Sequence, residues 1–196
     1  RMRISLLLMG ALAKREQSFR VYKTAGCKLG NRSIRPHVLA LAKLGIIVTS
    51  HEGYYQVDAR EMHSARVVMY ESGDTATENA ILGAIYAKGT TTITFASANY
   101  MVQDLCYFLV NAGAKIEGIG TTTLTITGVE QLQSNTTYDI MPDPVDAMAW
   151  ISLAVTTKSP LTVVDCPLDF LELELEYLSV MGQKYTLKNE RFSKNG

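Results

Sequence analysis

The sequence predicts an α/β protein built from three copies of one β-α-β-α-β-β unit. Three segments each carry an apolar helix end, a glycine, a short strand, a turn and a second strand, and their glycines are Gly45, Gly113 and Gly182. These glycines lie 68 and 69 residues apart. Self-similarity at a fixed interval is typical of a repeated structural unit, and three such copies account for nearly the whole chain.

The middle copy shows the predicted order of elements most clearly. Apolar periodicity predicts a strand over residues 65–69, a helix over 75–87, a Thr-rich strand over 90–95, a second helix that ends before Gly113, and a hairpin over 114–117 and 121–127. The third copy has a predicted strand at 138–140, a helix at 145–156 and a further strand around Val163. The first copy starts inside its helix at Met2, after an arginine. We therefore expect the chain to be a piece of a longer protein.

Composition excludes several classes of protein. The 196 residues include 19 Lys and Arg against 19 Asp and Glu and are 47% hydrophobic, which excludes a disordered or fibrous chain. Zero net charge provides no overall field for nucleic acid or for an anionic membrane, so we expect neither partner. The longest apolar run, residues 4–13, is about half the roughly 20 residues that a membrane helix needs. These features predict a cytoplasmic protein.

The first copy has an insertion that could carry chemistry. The interval from Val21 to Gly45 is 24 residues, whereas the matching intervals in the other copies are both 19. The extra residues fall in a glycine-containing loop that holds Cys27 and four cations, Lys23, Lys28, Arg32 and Arg35. Nearby cations lower the pKa of a thiol and attract anions. Two interpretations stay open. The loop holds a reactive thiol beside a phosphate site, or it is a solvated loop with an incidental cysteine.

Five segments of the chain resemble one known family. AGCKLGNRSIRPH at 25–37 resembles a GGCxIGxRPVDLH loop, and MRISLLLMGAL at 2–12 is similar to an MRASxxxLGPL helix. TATENAILGAIYAKGTTTI, GAKIEGIGTTTLTITGVEQL and MPDPVDAM match further motifs in the same order. The family is UDP-N-acetylglucosamine 1-carboxyvinyltransferase, the enolpyruvyl transferase of peptidoglycan synthesis.

The resemblance implies a fold and a reaction. The fold is the inverse α/β barrel of six units in two domains, so residues 1–130 would form two units of the loop-bearing domain and 131–196 one unit of its partner domain. The reaction is transfer of enolpyruvyl from phosphoenolpyruvate to the 3-hydroxyl of UDP-N-acetylglucosamine, the first committed step of the pathway. No metal or organic cofactor is needed. The resemblance further implies covalent inhibition by fosfomycin and a monomer at full length.

The resemblance also implies site residues. Cys27 matches the loop cysteine that protonates the enolpyruvyl methylene and is alkylated by fosfomycin, and Arg32 matches the arginine that bridges the two substrates. Arg3 matches a sugar-nucleotide-binding arginine, and His37 a histidine near the sugar. The nucleotide contacts fall on two short runs, which are Ser33, Ile34, Arg35 and Pro36 in the loop, and Gly73 and Asp74 at a helix N-terminus.

Departures from the family pattern leave the acceptor open. Pro-Val-Asp-Leu is replaced by Ser33-Ile34-Arg35-Pro36, which reverses one charge, and Asp74 brings an acid towards the expected diphosphate. The alternatives are a transferase for another nucleotide sugar and a non-catalytic binding protein of the same fold. The family's aspartate base and two further cations fall outside these residues, so we expect the 196-residue chain alone to be inactive.

Other reactive side chains are predicted to be structural. Cys106 and Cys166 are neither paired in a CxxC motif nor close in sequence to histidines, so we expect packed thiols and no metal. The run Glu172, Glu174 and Glu176 is predicted to be an exposed helix face with leucines opposite.

Overall fold

The computed structural model describes residues 3–23 and 33–191 and confirms the predicted α/β class. The side chain of Arg3 is not among the described groups. The chain divides into two compact units, Arg1–Thr136 and Thr137–Gly196. Among the described residues, no helix has both the length and the apolar character that crossing a bilayer would require.

The first copy begins with helix and continues as predicted. A 3₁₀ helix, Arg3–Leu7, leads into α1, Leu8–Ala11, and is followed by β1, Ser18–Tyr22. The next elements are α2, Arg35–Lys43, β2, Ile47–Ser50, and β3, Tyr54–Asp58. The strands form an antiparallel sheet in the order β1-β3-β2.

The second copy contains all six predicted elements. Its strands and helices are β4 at Arg66–Val68, α3 at Asp74–Ala84, β5 at Thr90–Thr94, α4 at Tyr100–Asn111, β6 at Lys115–Glu117 and β7 at Thr123–Thr127. They form a four-stranded sheet in the order β4-β5-β7-β6, in which only β4 and β5 are parallel. The predicted order of elements is confirmed here. The helix α3 ends three residues before the predicted end.

The helix α3 is the centre of the first unit. It packs against α1, α2 and α4 and buries eight residues over 76–84. Two glycines allow the neighbouring helices to approach closely. A Cβ atom on Gly10 would lie 2.4 Å from the carbonyl oxygen of Asn79, and one on Gly83 would lie 3.1 Å from side-chain atoms of Ile46 and Leu41. The first contact is shorter than any real Cβ contact, so α1 needs a glycine where it crosses α3.

The side chain of Asn79 joins three segments to α3. Its amide nitrogen donates to the Leu6 carbonyl at 3.0 Å and lies 3.2 Å from Nδ1 of His37, and its Oδ1 accepts the Gly10 N–H at 2.8 Å. Asn79 is fully buried. The 3₁₀ helix, α1 and α2 are therefore all bonded to one buried amide, which satisfies polar groups that water cannot reach.

The three repeat glycines occupy equivalent helix ends, which confirms that prediction. Gly45, Gly113 and Gly182 have left-handed φ angles of 75°, 98° and 76° and follow α2, α4 and α6. In each case the glycine N–H bonds the carbonyl three residues before it, and the next N–H bonds the carbonyl five residues before its own position. This is the Schellman ending, in which a glycine accepts the left-handed conformation at low cost.

The unit Thr137–Gly196 departs from prediction in its strands. It contains α5, Pro144–Thr157, a short 3₁₀ turn, Leu168–Phe170, and α6, Glu172–Val180. No strand occurs among its described residues, so the predicted strands at 138–140, around Val163 and after Gly182 are wrong. Asp165 has a left-handed φ of 53°, which a continuing strand does not allow. A strand is stable only with a paired strand and a buried face, and α5 leaves Val145, Trp150 and Leu153 exposed.

Candidate functional site

The structure brings the start of α2 close to the segment that precedes α3. The guanidinium carbon of Arg35, the first residue of α2, lies 5.4 Å from the centre of the Tyr70 ring. Tyr70 follows β4 and comes just before the α3 N-cap at Gly73. Both predicted nucleotide-binding runs, 33–36 and 73–74, therefore lie at helix N-termini on neighbouring segments. Their roles in binding stay predictions.

The first run forms the entry to α2. Ser33 Oγ accepts the backbone N–H of Arg35 at 3.0 Å, and Pro36 occupies the first turn, where a missing N–H costs no helix hydrogen bond. Ser33 and Arg35 are exposed, Ile34 is half-buried and packs against the core, and Pro36 is buried. Only the serine and the arginine therefore offer polar side-chain atoms to a ligand.

The second run begins α3, and the carboxylate of its Asp74 accepts two hydrogen bonds from other side chains. The Asp74 carboxylate accepts hydrogen bonds from Ser97 Oγ at 2.6 Å and from Asn99 Nδ2 at 3.0 Å. Asn99 in turn caps α4 by accepting the Tyr100 N–H at 2.8 Å. The sequence predicted an acid that approaches a diphosphate. In the structure this carboxylate ties the start of α3 to the start of α4, and two donors offset part of its charge.

His37 is a buried residue of the helix interface. It is 3% exposed, and Nδ1 faces the Asn79 amide. This geometry favours a structural role for His37 over the contact with a sugar that the resemblance implies.

Glu78 was missed in the sequence interpretation. It lies on α3 one turn beyond Asp74 and is 7% exposed. Burial raises the pKa of its carboxyl, and the nearby charge of Asp74 raises it further. The spacing of four residues places both carboxyls on one face of the helix, so the sequence held a signal that could have identified the pair.

Substitution Glu78→Gln is expected to flatten the dependence of stability on pH. Because the folded-state pKa of Glu78 lies above its ordinary value of 4.5, the folded chain binds this proton more tightly than the unfolded chain does. The stability that Glu78 contributes by binding this proton is therefore complete below about pH 4.5, and it is lost as pH rises through the folded-state pKa. Urea unfolding between pH 4 and pH 8 measures this loss.

The exposed Glu71 provides a matched control for that experiment. Glu71→Gln removes an exposed carboxyl close to the start of α3, so it measures the effect of losing a surface charge without losing a buried one. If Glu78→Gln and the parent chain lose equal stability between pH 4 and pH 8, burial of the Glu78 carboxyl does not affect folding.

Two thiols are described, and neither has the character of a nucleophile. Cys106 on α4 is fully buried, which raises the pKa of its thiol to about 12, and the charge of Glu78 adds to this effect. Burial also raises the pKa of the half-buried Cys166. At neutral pH both are held as thiols, and the thiolate is the reactive form. The prediction that Cys106 is a packed thiol is confirmed.

Three predicted site residues lie wholly or partly outside the described part of the chain. Cys27 and Arg32 lie outside the described residues, and of Arg3 only the position at the start of the 3₁₀ helix is described. No group of three or more His, Cys, Asp or Glu able to hold a metal ion occurs within 3–23 and 33–191.

Solved enolpyruvyl transferases share this fold. The chain matches the enolpyruvyl transferase NikO from Streptomyces tendae with a TM-score of 0.70 and 21% identity, over 90% of this chain and 43% of that chain. It matches EPSP synthase from Acinetobacter baumannii with a TM-score of 0.51 and 15% identity, over 67% of this chain and 30% of that chain. The chain therefore has the fold of these two solved enzymes over the shares that they match.

Sequence comparison identifies the family. The family model of EPSP synthase (3-phosphoshikimate 1-carboxyvinyltransferase) matches residues 2–195, and the chain belongs to this family. A relative from Hydrogenovibrio crunogenus is 35% identical over 94% of this chain and 44% of its own length. A relative from Bradyrhizobium diazoefficiens is 40% identical over 87% of this chain and 39% of its own length. Both are named UDP-N-acetylglucosamine 1-carboxyvinyltransferase, and the chain spans less than half of each.

Proposed function

We propose that the full-length protein transfers enolpyruvyl from phosphoenolpyruvate to the 3-hydroxyl of UDP-N-acetylglucosamine. The observation that carries the proposal is 35% and 40% identity, across most of this chain, with two relatives of that name. The step commits the sugar nucleotide to peptidoglycan, so the protein would serve cell-wall synthesis in the cytoplasm, as a monomer.

The reaction is an addition followed by an elimination. The sugar hydroxyl gives its proton to the family's aspartate base, which falls outside these residues, as its oxygen bonds to C2 of phosphoenolpyruvate and Cys27 delivers a proton to C3. The tetrahedral adduct then returns a proton from C3 to a base, the double bond re-forms, and the bond from C2 to the phosphate oxygen breaks. Cys27 acts as the general acid. Arg32 bridges the two substrates, because a guanidinium fork suits phosphate and carboxylate oxygens.

The described residues support binding of the nucleotide. The first turn of α3 has backbone N–H groups without a partner inside the helix, which suit a diphosphate. Ser33 and Arg35 add exposed polar side chains at the start of α2, and Arg3 would add a cation. No metal or organic cofactor takes part in this scheme, and fosfomycin would inhibit by alkylating Cys27.

One observation favours an acceptor other than UDP-N-acetylglucosamine. Arg35 stands where the family pattern has an acid, and Pro36 where it has an apolar leucine. A different nucleotide sugar would account for both changes.

Phosphate release distinguishes these possibilities. The full-length protein, given phosphoenolpyruvate, should release phosphate at about 1–10³ per second when UDP-N-acetylglucosamine is added, and not without an acceptor. Release only with another nucleotide sugar would select the second acceptor. No release with any nucleotide sugar would refute a transferase function.

A further inference from the structure

A pocket of the first unit lies near the C-terminal end of α3. Its volume is about 360 Å³, and it is lined by the end of α1 and the turn after it, by Tyr86 just beyond α3, and by residues 130–132. Pockets for small molecules usually enclose about 300–1,000 Å³. The predicted nucleotide contacts at 73–74 lie at the other end of α3, which spans Asp74–Ala84 and is therefore about 16 Å long. The pocket is thus separate from the proposed nucleotide site.

Backbone hydrogen bonds hold the walls of this pocket in place. The turn after α1 is closed by a bond of 2.8 Å from the Glu16 N–H to the Leu12 carbonyl. Residues 130–132 lie between two further bonds of 2.8 Å, one from the Val129 N–H to the end of α3 and one from the Gln133 N–H to the end of α4. A pocket that is formed before its ligand arrives avoids the cost of ordering a loop on binding.

The side chains that line the pocket combine an apolar surface with two cations. Leu12, Leu132 and Tyr86 are half-buried, whereas Lys14 and Arg15 are exposed. Among the described residues, no group forms a hydrogen bond with the Tyr86 hydroxyl. Ammonium, guanidinium and O–H groups all donate to a carboxylate or phosphate, and the bonds from the two cations are the stronger ones. The pocket therefore matches a ligand with an apolar body and an anionic end.

The charges at the pocket favour a ligand with a single negative charge. Lys14 and Arg15 contribute two positive charges and Glu130 one negative charge, which leaves one positive charge on the lining. Arg15 also lies 3.9 Å from the carboxylate of Glu16, but both side chains are mainly exposed, so water screens this contact. A carboxylate suits this balance better than a phosphate monoester, which carries a charge of about −1.5 to −2 at neutral pH.

We propose that this pocket binds an apolar carboxylate. The carboxylate pairs with Lys14 and Arg15 and accepts the Tyr86 O–H, and the hydrocarbon part packs against Leu12 and Leu132. The proposal does not depend on the proposed function, because no residue assigned to the transfer reaction lines the pocket.

Octanoate is a probe that has both parts of this chemistry. It should bind the full-length protein with a dissociation constant of about 0.1–1 mM, as expected for a ligand of about ten non-hydrogen atoms. Nuclear magnetic resonance of the ¹³C-labelled ligand measures this constant. Acetate, which lacks the hydrocarbon, and octylammonium, which reverses the charge, should bind at least about tenfold more weakly. Absence of saturable octanoate binding, or equal binding of octylammonium, would overturn the proposal.

Removal of the two cations tests their role in the pocket. The double variant Lys14→Gln and Arg15→Gln should bind octanoate about fivefold to tenfold more weakly than the parent protein does. The matched control is Lys43→Gln with Arg66→Gln, which removes the same two charges from exposed positions that do not line the pocket. This control should bind octanoate with the parent affinity. Equal affinities of the two double variants would show that the cations of the pocket do not hold the carboxylate.

A substitution that fills the pocket tests its location. Ala11 lines the pocket and is exposed, so Ala11→Phe should lower the affinity for octanoate at least about tenfold while the melting temperature falls by no more than a few degrees. UDP-N-acetylglucosamine should not displace octanoate from the parent protein. Parent affinity in Ala11→Phe, or displacement by the sugar nucleotide, would place octanoate elsewhere and overturn the proposal. Phosphate release tests the transferase separately, so either proposal can fail without the other.

Discussion

Replacing Asn79 with alanine should lower the free energy of unfolding of the first unit by about 2–6 kcal/mol. The substitution removes the side-chain partners of the Gly10 N–H and the Leu6 carbonyl and the contact with the His37 ring nitrogen. All three residues are buried, so water does not replace the lost bonds. Loss of a hydrogen-bond partner costs a buried polar group about 1–3 kcal/mol, and the estimate counts the Gly10 N–H and the Leu6 carbonyl.

The measurement must report on the correct unit. The single tryptophan, Trp150, lies in the unit Thr137–Gly196, so its fluorescence would follow the wrong part of the chain. Amide hydrogen exchange at increasing urea concentration, followed by mass spectrometry of peptides from α1, α2 and α3, reports on the helices around Asn79. Asn135→Ala is the matched control, because Asn135 is exposed, and it should change stability by less than about 0.5 kcal/mol. An Asn79→Ala variant as stable as this control would show that the buried amide does not hold the helices together.

Local patterns in the sequence predicted the helix ends well. Gly45, Gly113 and Gly182 each end a helix in the same way, because the Schellman ending depends on a few consecutive residues and on the left-handed conformation that glycine accepts. The sheets of the first two copies were predicted for a related reason. Their Thr- and Val-rich segments alternate, and each finds a neighbouring strand within the chain.

The third copy shows the limit of such patterns. The segments around residues 138–140 and Val163 have strand-like composition, yet no strand forms there among the described residues. A strand depends on a partner and on a covered face, neither of which composition specifies. Its helices α5 and α6 were predicted because a helix satisfies its backbone hydrogen bonds within itself.

The sequence identifies the two runs that form the candidate site, but not the contacts that their side chains make. The motifs identified Ser33–Pro36 and Gly73–Asp74 as two runs far apart in sequence. The contact of Arg35 with Tyr70 and the bonds of Asp74 to Ser97 and Asn99 join different segments, so only the folded chain reveals them. These contacts bear on both departures from the family pattern. Arg35 lies against the Tyr70 ring, and the Asp74 carboxylate accepts two hydrogen bonds.

One helix links stability to the proposed chemistry. Helix α3 carries Asp74 at its first turn, Glu78 one turn later, and Asn79 at the crossing with α1. The residues that fix its position are therefore one or two turns from the end that would receive a diphosphate. Substitutions at Asn79 should weaken nucleotide binding through displacement of α3, although the Asn79 side chain itself is fully buried.

Cys27→Ala should reduce turnover of the full-length protein by about 10²–10⁴-fold, the usual cost of losing a general acid. Cys166→Ala should keep the parent rate, because the Cys166 thiol, whose pKa is raised by burial, is not in a form that reacts. Fosfomycin should accordingly add one equivalent, mapped by mass spectrometry to the peptide that contains Cys27, and spare Cys106, which is fully buried and whose pKa is about 12. Thiolate is scarce at such a thiol near pH 7, since each unit between pH and pKa lowers its fraction about tenfold. An adduct on Cys106 or Cys166, or full activity of Cys27→Ala, would contradict the assignment of Cys27 as the proton donor.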